Sequence, residues 1–426
     1  MKPDLHNSIW EHLAPPRKPA PKLAQALTAD VVIIGGGLTG LSAAYHLAKS
    51  GRQVALIESR TIGWGGSGRN NGQVIPTLAA MEPAAMESRY GEQAALFIHM
   101  VRDSAGELFD FISTHKLACD AEQTGWFQPA HSPDHLRLSE ARVSAWQKYG
   151  APVELLDKSA GDALLGSSHW HGGMLNRSGG HINPLKLSHE LARLCAENGV
   201  QSFEHTPATA ITPKGDGWQI TTPEGEISAN AVLLATNAYT DENIEPRIAR
   251  SIVPLTAYQL ATEPLTEAQR AEIIPARQAI SDTRGDLWYF RYTSDHRLVT
   301  GAALLLKAGA KPRLQALLKR RLETAFPSLA PLSFSHVWNG FVGITADFTP
   351  RFHELGPNYY SFTGYNGRGL ALTLPIGREF ANKINGQPCA LPFEAPRQIP
   401  LHGVVKRVAR SRLILTRLQD KQRYKP

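Results

Sequence analysis

The apolar positions of this chain follow two rhythms. Residues 31–34, VVII, and 54–57, VALI, are short unbroken apolar runs, the pattern of parallel strands buried on both faces. Between them Leu41, Ala44, Leu47 and Ala48 recur at helical spacing until Lys49-Ser50-Gly51 breaks the period. The pattern predicts a strand–helix–strand unit near the N-terminus. Further helices are predicted over 84–118, with Leu96, Met100, Leu108, Phe111 and Ile112 on the apolar side, and over 135–149, with a strand over 124–127 between them. Asn183-Pro184 reads as an N-cap followed by proline at the first helical position, opening a helix to about Glu197. WQITT and EISANAVLLAT flank a Pro-Glu-Gly turn as paired strands. The second of these ends at Ala235 and delivers the loop 236–239. From 250 to 305 the segments YQLATE, DLWYFRYT and RLVTGAALL read as strands of a different sheet. Residues 312–325 form a basic amphipathic helix with Leu314, Leu317, Leu318 and Leu322 inward and its charges on a solvated face. Strands over 338–345 and 359–362 lead into a glycine turn at 364–369 and a last helix.

The glycines give this skeleton a ligand. Gly35, Gly37 and Gly40 stand at G-x-G-x-x-G spacing after the first strand: one for the tight turn, one for close approach to a pyrophosphate, one for helix–strand packing. Glu58 lies 23 residues after Gly35, at the end of the second strand, where an acid binds a ribose 2′-hydroxyl and repels the 2′-phosphate of NADP. Ser59 and Arg60 follow it, and the polar loop 60–74, RTIGWGGSGRNNGQV, is too glycine-rich for a stable helix. The turn at 364–369 offers a second set of backbone N–H groups to an anion. A reduced flavin carries such an anion and a nicotinamide does not, so the pairing favours FAD over NAD.

Composition narrows the class. The 426 residues allow two domains, with 42% hydrophobic and 19% charged residues. The net charge of +7 resides in residues 391–426, which hold nine Lys or Arg against two acids. A nucleic-acid groove is therefore poorly supported. Cys119, Cys195 and Cys389 are too few and too scattered for a disulfide framework, and the histidines never take metal-ligand spacing, so a cytoplasmic, metal-free protein is expected. MKPDLHNSIWEHL lacks the pattern of a signal peptide, and no apolar stretch reaches 18 residues. Residues 1–29 are expected to run over the surface, with Trp10 as an anchor near a site entrance. Val405, Val408, Leu413, Leu415 and Leu418 in the tail suit packing on the body or contact with a membrane surface.

The stretches VVIIGGGLTGLSAAYHLAKSG, IGWGGSGRNNGQ, RSGGHINPLKL, ATNAY and GYNGRGLALT together resemble the D-amino-acid oxidase superfamily of FAD-dependent amine oxidoreductases, most nearly its gamma-glutamylputrescine oxidase branch, over about 30–390. The resemblance implies an α/β fold: a Rossmann-like FAD-binding domain (30–85, 175–240 and 340–390) interleaved with an α+β substrate domain (86–174 and 241–339) on a large mixed sheet. It places Ser67, Arg69, Asn70, Asn71, Gly72 and Gln73 along the pyrophosphate, ribityl and flavin, Ala208 at the adenine, and Asn366, Gly367, Arg368 and Gly369 at the pyrimidine edge. The family usually has Ser and His where this chain has Asn366 and Arg368. Sarcosine-type relatives attach FAD to a cysteine where this chain has Val342, which implies non-covalent FAD. They bind the substrate carboxylate with a lysine where this chain has Ala371, which implies a longer amine.

The implied reaction is oxidation of a C–N bond in a small amine, with oxygen, quinone or another acceptor reoxidising the cofactor. The alternative is a secondary or cyclic amino acid of pipecolate, proline or sarcosine type. A scaffold that has lost its flavin is the non-enzymatic reading. Candidate residues around the reacting carbon are His181, Arg291 and Trp338, with Trp64, Tyr258, Trp288, Tyr289 and Arg284 in the substrate pocket. Ordinary core packing competes with this role for each aromatic, and a turn hydrogen bond competes for His181.

Overall fold

Val31 stands in parallel register with Val54 on one side and Ala231 on the other, so the apolar run at 31–34 lies mid-sheet, as its lack of alternation requires. The structure, a computed structural model, describes residues 6–304 and 309–408. Its first sheet runs in the order Phe393–Glu394, Arg351–Gly356, Tyr359–Thr363, Glu226–Leu234, Ala26–Ile34, Val54–Ile57, Gln201–Phe203. The hairpin of Ala210–Lys214 and Gly217–Thr221 extends from Glu226–Leu234. Helix Leu38–Lys49 covers one face, packed against Pro184–Glu197 and Thr373–Ile384. The predicted cap is present: Asn183 Oδ1 accepts from the N–H groups of Leu185 and Lys186 at 3.2 and 3.1 Å.

The second sheet also has nine strands among the described residues, ordered His6–Asn7, Phe334–Ile344, Val253–Thr262, Leu298–Ala302, Tyr289–Tyr292, Ala279–Ser281, Trp126–Pro129, Gly173–Asn176, Val153–Leu156. It is mixed: Ala279–Ser281 runs parallel to Trp126–Pro129 and the other neighbours are antiparallel. A Rossmann-like FAD-binding fold interleaved with a substrate domain on a large mixed sheet is therefore the architecture. The strand Phe334–Ile344 crosses the expected boundary at 340, because it stays paired with Val253–Thr262 to Ile344.

Two expectations need correction. Residues 1–29 are not simply a surface segment. His6–Asn7 is a strand of the second sheet, helix Ile9–Leu13 buries Ile9 and Trp10 completely, and the strand predicted at 31–34 already starts at Ala26, where pairing with Glu226 begins. The charged face of the helix at 312–325, observed as Ala310–Ala325, is not wholly solvated, because Arg321 is buried in an ion pair with Asp286. In the tail, helix His402–Val408 buries none of its residues and Val408 is exposed, although His402 Nε2 bonds the Ile252 carbonyl at 2.8 Å. Leu413, Leu415 and Leu418 lie outside the described residues. No described helix is long and apolar enough to cross a membrane.

Candidate active site

A cavity of about 930 Å³ opens where the parallel strands end, at Ile34, Ile57 and Leu234, and extends beneath the second sheet at Leu255, Ala257, Gln259, Ser281, Tyr289 and Ala302. Carboxyl ends of parallel strands are where open α/β sheets bind ligands. At this end Gly35 has φ +119°, and the Gly37 N-cap leaves the first N–H groups of Leu38–Lys49 without a side-chain cap of its own. Ser67 reaches in from the polar loop, its Oγ accepting from Leu38 N–H at 3.0 Å. A Cβ at position 37 would sit 2.7 Å from that Oγ, so only glycine lets the loop lie this low. Glu58 accepts from the N–H groups of Gly36 and Arg60, both at 2.8 Å. Burial raises its pKa against those bonds. Oε1 also accepts from Ser59 Oγ at 3.2 Å, so it is Oε2 that keeps a second lone pair for a ribose hydroxyl.

The polar loop is pinned from behind by three large side chains. Trp338 Nε1 donates to the Arg69 carbonyl and Trp10 Nε1 to the Asn70 carbonyl, both at 2.9 Å. Arg291 spends its guanidinium on three carbonyls: Asn71 at 2.7 Å, Ile182 at 2.6 Å and Tyr292 at 2.6 Å. It also lies 4.2 Å from the Trp10 ring centroid. Burial pulls its pKa down to about 9, and its donors all feed carbonyls, so it remains a cation at neutral pH. Trp10→Ala should cost about 3–5 kcal/mol and loosen the loop. Denaturant titration of the flavin-loaded protein, with flavin release followed in the same samples, checks both.

The front of the loop faces the cavity. Arg69 Nη1, Asn71 Oδ1 and Gln73 Oε1 are buried there without hydrogen-bond partners. Asn71 Nδ2 donates to Gln259 Oε1 at 3.2 Å, and Gln259 Nε2 donates to Tyr289 Oη at 2.9 Å, a polar chain from the loop to the second sheet. The C-terminal turn closes the cavity from the other side. Asn366 has φ +52°, which Asn tolerates, and its Oδ1 accepts from Thr345 N–H at 2.9 Å. Its side chain thus holds the turn to the neighbouring strand.

Most of the residues read from the sequence meet in this one cavity. Gly35, Gly37, Glu58, Ser59, Arg60, Trp64, Ser67, Arg69, Asn70, Asn71, Gly72, Gln73, Ala208, Ala235, Tyr289, Asn366, Gly367, Arg368 and Gly369 all line it. Gly40 does not, since it sits under the Gly35 carbonyl where helix meets strand. His181, Arg291 and Trp338 do not line it either: they act behind the loop, as its supports. Tyr258 is buried against Leu314 and Leu318, and Trp288 stacks on His169 at 5.1 Å with Arg284, itself paired to Asp282, 4.3 Å from the Trp288 ring centroid. The loop 236–239 lines the cavity through Thr236, Asn237 and Tyr239, whereas Thr39, Gln259 and Tyr365 line it and were missed. Thr39 and Tyr365, hydrogen-bonded at 2.9 Å, lie over 300 residues apart, and no local pattern links them.

His181 has a structural explanation. Its backbone pairs with Gln73, and Nε2–H donates to the Arg277 carbonyl at 2.9 Å, while Nδ1 is buried without a partner. Burial, then the Arg291 charge, holds its pKa well below the usual imidazole value. Burial likewise pushes His46 and His169 down to about 4. Unfolded histidines take up protons below about pH 6.5 and these folded ones do not. Stability is therefore expected to fall as pH drops from about 6.5 towards 4. Denaturation midpoints at neutral and mildly acid pH measure this. His181→Gln, which keeps a donor for Arg277, should flatten part of the slope.

The residues 30–383 match the model of the family described as FAD dependent oxidoreductase. The chain belongs to that family. It is 32% identical to gamma-glutamylputrescine oxidoreductase of Escherichia coli (strain K12) over 387 residues, covering 90% of this chain and 89% of that one. It is 33% identical to the probable oxidoreductase OrdL of Rhizobium meliloti, covering 92% and 91%. Among solved structures, glycine oxidase from Geobacillus kaustophilus superposes with a TM-score of 0.72 at 19% identity, over 86% of this chain and 97% of that one. L-proline dehydrogenase from P. horikoshii gives 0.73 at 19% identity, over 85% and 95%. These two share the fold.

The protein is thus an FAD-dependent oxidoreductase, and its cavity fits the cofactor. The start of helix Leu38–Lys49, with a glycine at the N-cap and Ser67 Oγ at the Leu38 N–H, suits a pyrophosphate, Glu58 a ribose, and the orphaned atoms of Arg69, Asn71 and Gln73 a polar ring system.

Proposed function

We propose that this oxidoreductase breaks a C–N bond in a small amine that carries an acid group, with gamma-glutamylputrescine as the leading substrate. The observation that carries the reading is the chemistry of the substrate wall. Among the described lining residues there is no lysine and no histidine, the lining near Tyr289 includes Leu255, Ala257 and Leu287, and the charge of Asp286 in that wall is taken up by Arg321. Such a wall lowers the pKa of a bound ammonium by desolvation and favours the neutral amine. FAD, when bound there, would supply the two-electron oxidant for converting the amine to an imine, which water would hydrolyse to an aldehyde and ammonia or an amine. The protein holds the reacting carbon in place and keeps bulk water from it. Gln259 and Tyr289 offer the hydrogen-bonding edge that orients the amine. The 32% identity to the oxidoreductase of Escherichia coli over 90% of the chain supports the same substrate class. Ala371, buried and outside the cavity lining, supports an amine without a carboxylate at the reacting carbon. Val342 lines the cavity and none of the three cysteines does, in keeping with non-covalent FAD. The absence of a disulfide among those cysteines suits a cytoplasmic setting.

A second reading, oxidation of a secondary or cyclic amino acid, draws support from Arg368, a cation at the cavity wall. Anaerobic mixing of the yellow protein with gamma-glutamylputrescine, putrescine, sarcosine, pipecolate and proline separates the two. Bleaching by the glutamylated amine is the expected result, and bleaching by pipecolate or proline alone would replace the first reading with the second. Readmitting air then distinguishes oxygen from a quinone or other acceptor.

A further inference from the structure

Arg368 sits on the turn 364–369 at the cavity wall, half-buried, and its guanidinium reaches across to the second sheet. There it lies 4.8 Å from the Trp126 ring centroid and gives one long hydrogen bond, from Nη1–H to Thr77 Oγ1 at 3.3 Å. No carboxylate among the described residues forms an ion pair with it. The acid that bears on it, Glu82, is already engaged: Oε1 lies 2.6 Å from Arg142 Nε, and Oε2 accepts from Trp146 Nε1 at 2.5 Å. Arg142 itself stands 6.0 Å from the centroid of the same Trp126. Burial, with the Arg142 charge added, pulls the Arg368 pKa down to about 9, the sign of a cation short of compensation.

The other two arginines of the lining are differently placed. Arg69 Nε donates to the Trp64 carbonyl at 2.7 Å and Nη2 lies 3.9 Å from Glu11. Arg60 lies against Trp64, 5.7 Å from its centroid, beside Glu58 at the dinucleotide end. Arg368 alone of the three lies against Trp126 of the second sheet, which is fully buried and donates from Nε1 to Ser281 Oγ, a lining residue, at 2.7 Å. The Trp126 face fixes the guanidinium plane while leaving its remaining N–H groups free to bind.

We infer that Arg368 is the anion-binding residue of the substrate chamber and takes the carboxylate of the substrate, held flat against Trp126. A planar guanidinium matches a carboxylate with paired donors and makes charge-assisted hydrogen bonds. The inference rests on the amine-oxidation reading only for the identity of the ligand: gamma-glutamylputrescine carries a carboxylate far from the oxidised carbon, and an amino acid carries one beside it.

The test uses flavin-loaded protein and unreactive matched pairs. Glutaramate and glutaramide mimic the glutamyl end with and without the charge. Cyclopentanecarboxylate and cyclopentanecarboxamide do the same for a cyclic amino acid. Binding is read without turnover from the change in the oxidised flavin spectrum. At least one acid is expected to bind ten-fold or more tightly than its amide. Arg368→Gln should abolish that difference and Arg368→Lys should restore part of it, with flavin content unchanged in both. Three results overturn the inference: no acid perturbs the spectrum, acid and amide bind alike, or Arg368→Gln shifts the flavin's reduction potential and leaves acid–amide discrimination intact. The last would assign Arg368 to the cofactor's own charge. If glutaramate discrimination depends on Arg368 while gamma-glutamylputrescine fails to bleach the flavin, the substrate reading falls and the anion site stands.

Discussion

A Gly40→Ala protein is expected to come off the column colourless, or nearly so. The added methyl would collide with the Gly35 carbonyl oxygen, a backbone atom, and with Ile33 Cγ2 at 3.1 Å. Neither neighbour swings away as a surface side chain would, so helix Leu38–Lys49 must lift from the strand that feeds it. Overpacking of this kind costs about 1–3 kcal/mol. Here the displacement also moves the N–H groups proposed to meet the pyrophosphate, and the loss in FAD affinity should be at least a hundred-fold. Visible absorbance per mole of protein, with added FAD titrated back by fluorescence quenching, measures the effect. A yellow variant with ordinary affinity would show that the helix tolerates the shift.

Removing the Arg291 side chain should be comparably damaging although it does not face the cavity. Arg291→Met keeps the stem and strands the carbonyls of Asn71, Ile182 and Tyr292 in an apolar interior. The expected loss is about 3–5 kcal/mol. Part of it should appear as a faster release of flavin, because Asn71 and Gly72 lie on the polar loop. Arg291→Lys should rescue little, since one ammonium cannot reach three divergent carbonyls in a plane. Equilibrium unfolding together with the rate of flavin loss on dilution separates the two contributions. Unchanged values in both would remove Arg291 from the supporting shell.

The cofactor half of the site was legible because its chemistry is local. Gly35, Gly37, Ser67 and the loop through Gln73 lie within about forty residues, and the fold brings them together by one strand, one helix and one turn. The C-terminal turn was legible for the same reason. The substrate half was not. Gln259 and Tyr289 meet only because Val253–Thr262 and Tyr289–Tyr292 both border Leu298–Ala302, and a strand's period alone does not say which face will cover a flavin. Arg291 and Trp338 stand out in the sequence, and the structure places both behind the polar loop rather than in the cavity lining. A large polar side chain in a strand serves equally to touch a ligand or to hold the loop that does. Only the hydrogen-bond partners separate the two.

The docking of the first helix ties together parts of the chain that lie far apart in sequence. Backbone of His6 pairs with Trp338, and Trp10 closes on Arg291 and Trp338. Contacts of such long sequence separation form late in folding. The rear pins of the polar loop are therefore expected to set only after the strands that carry Arg291 and Trp338 have paired.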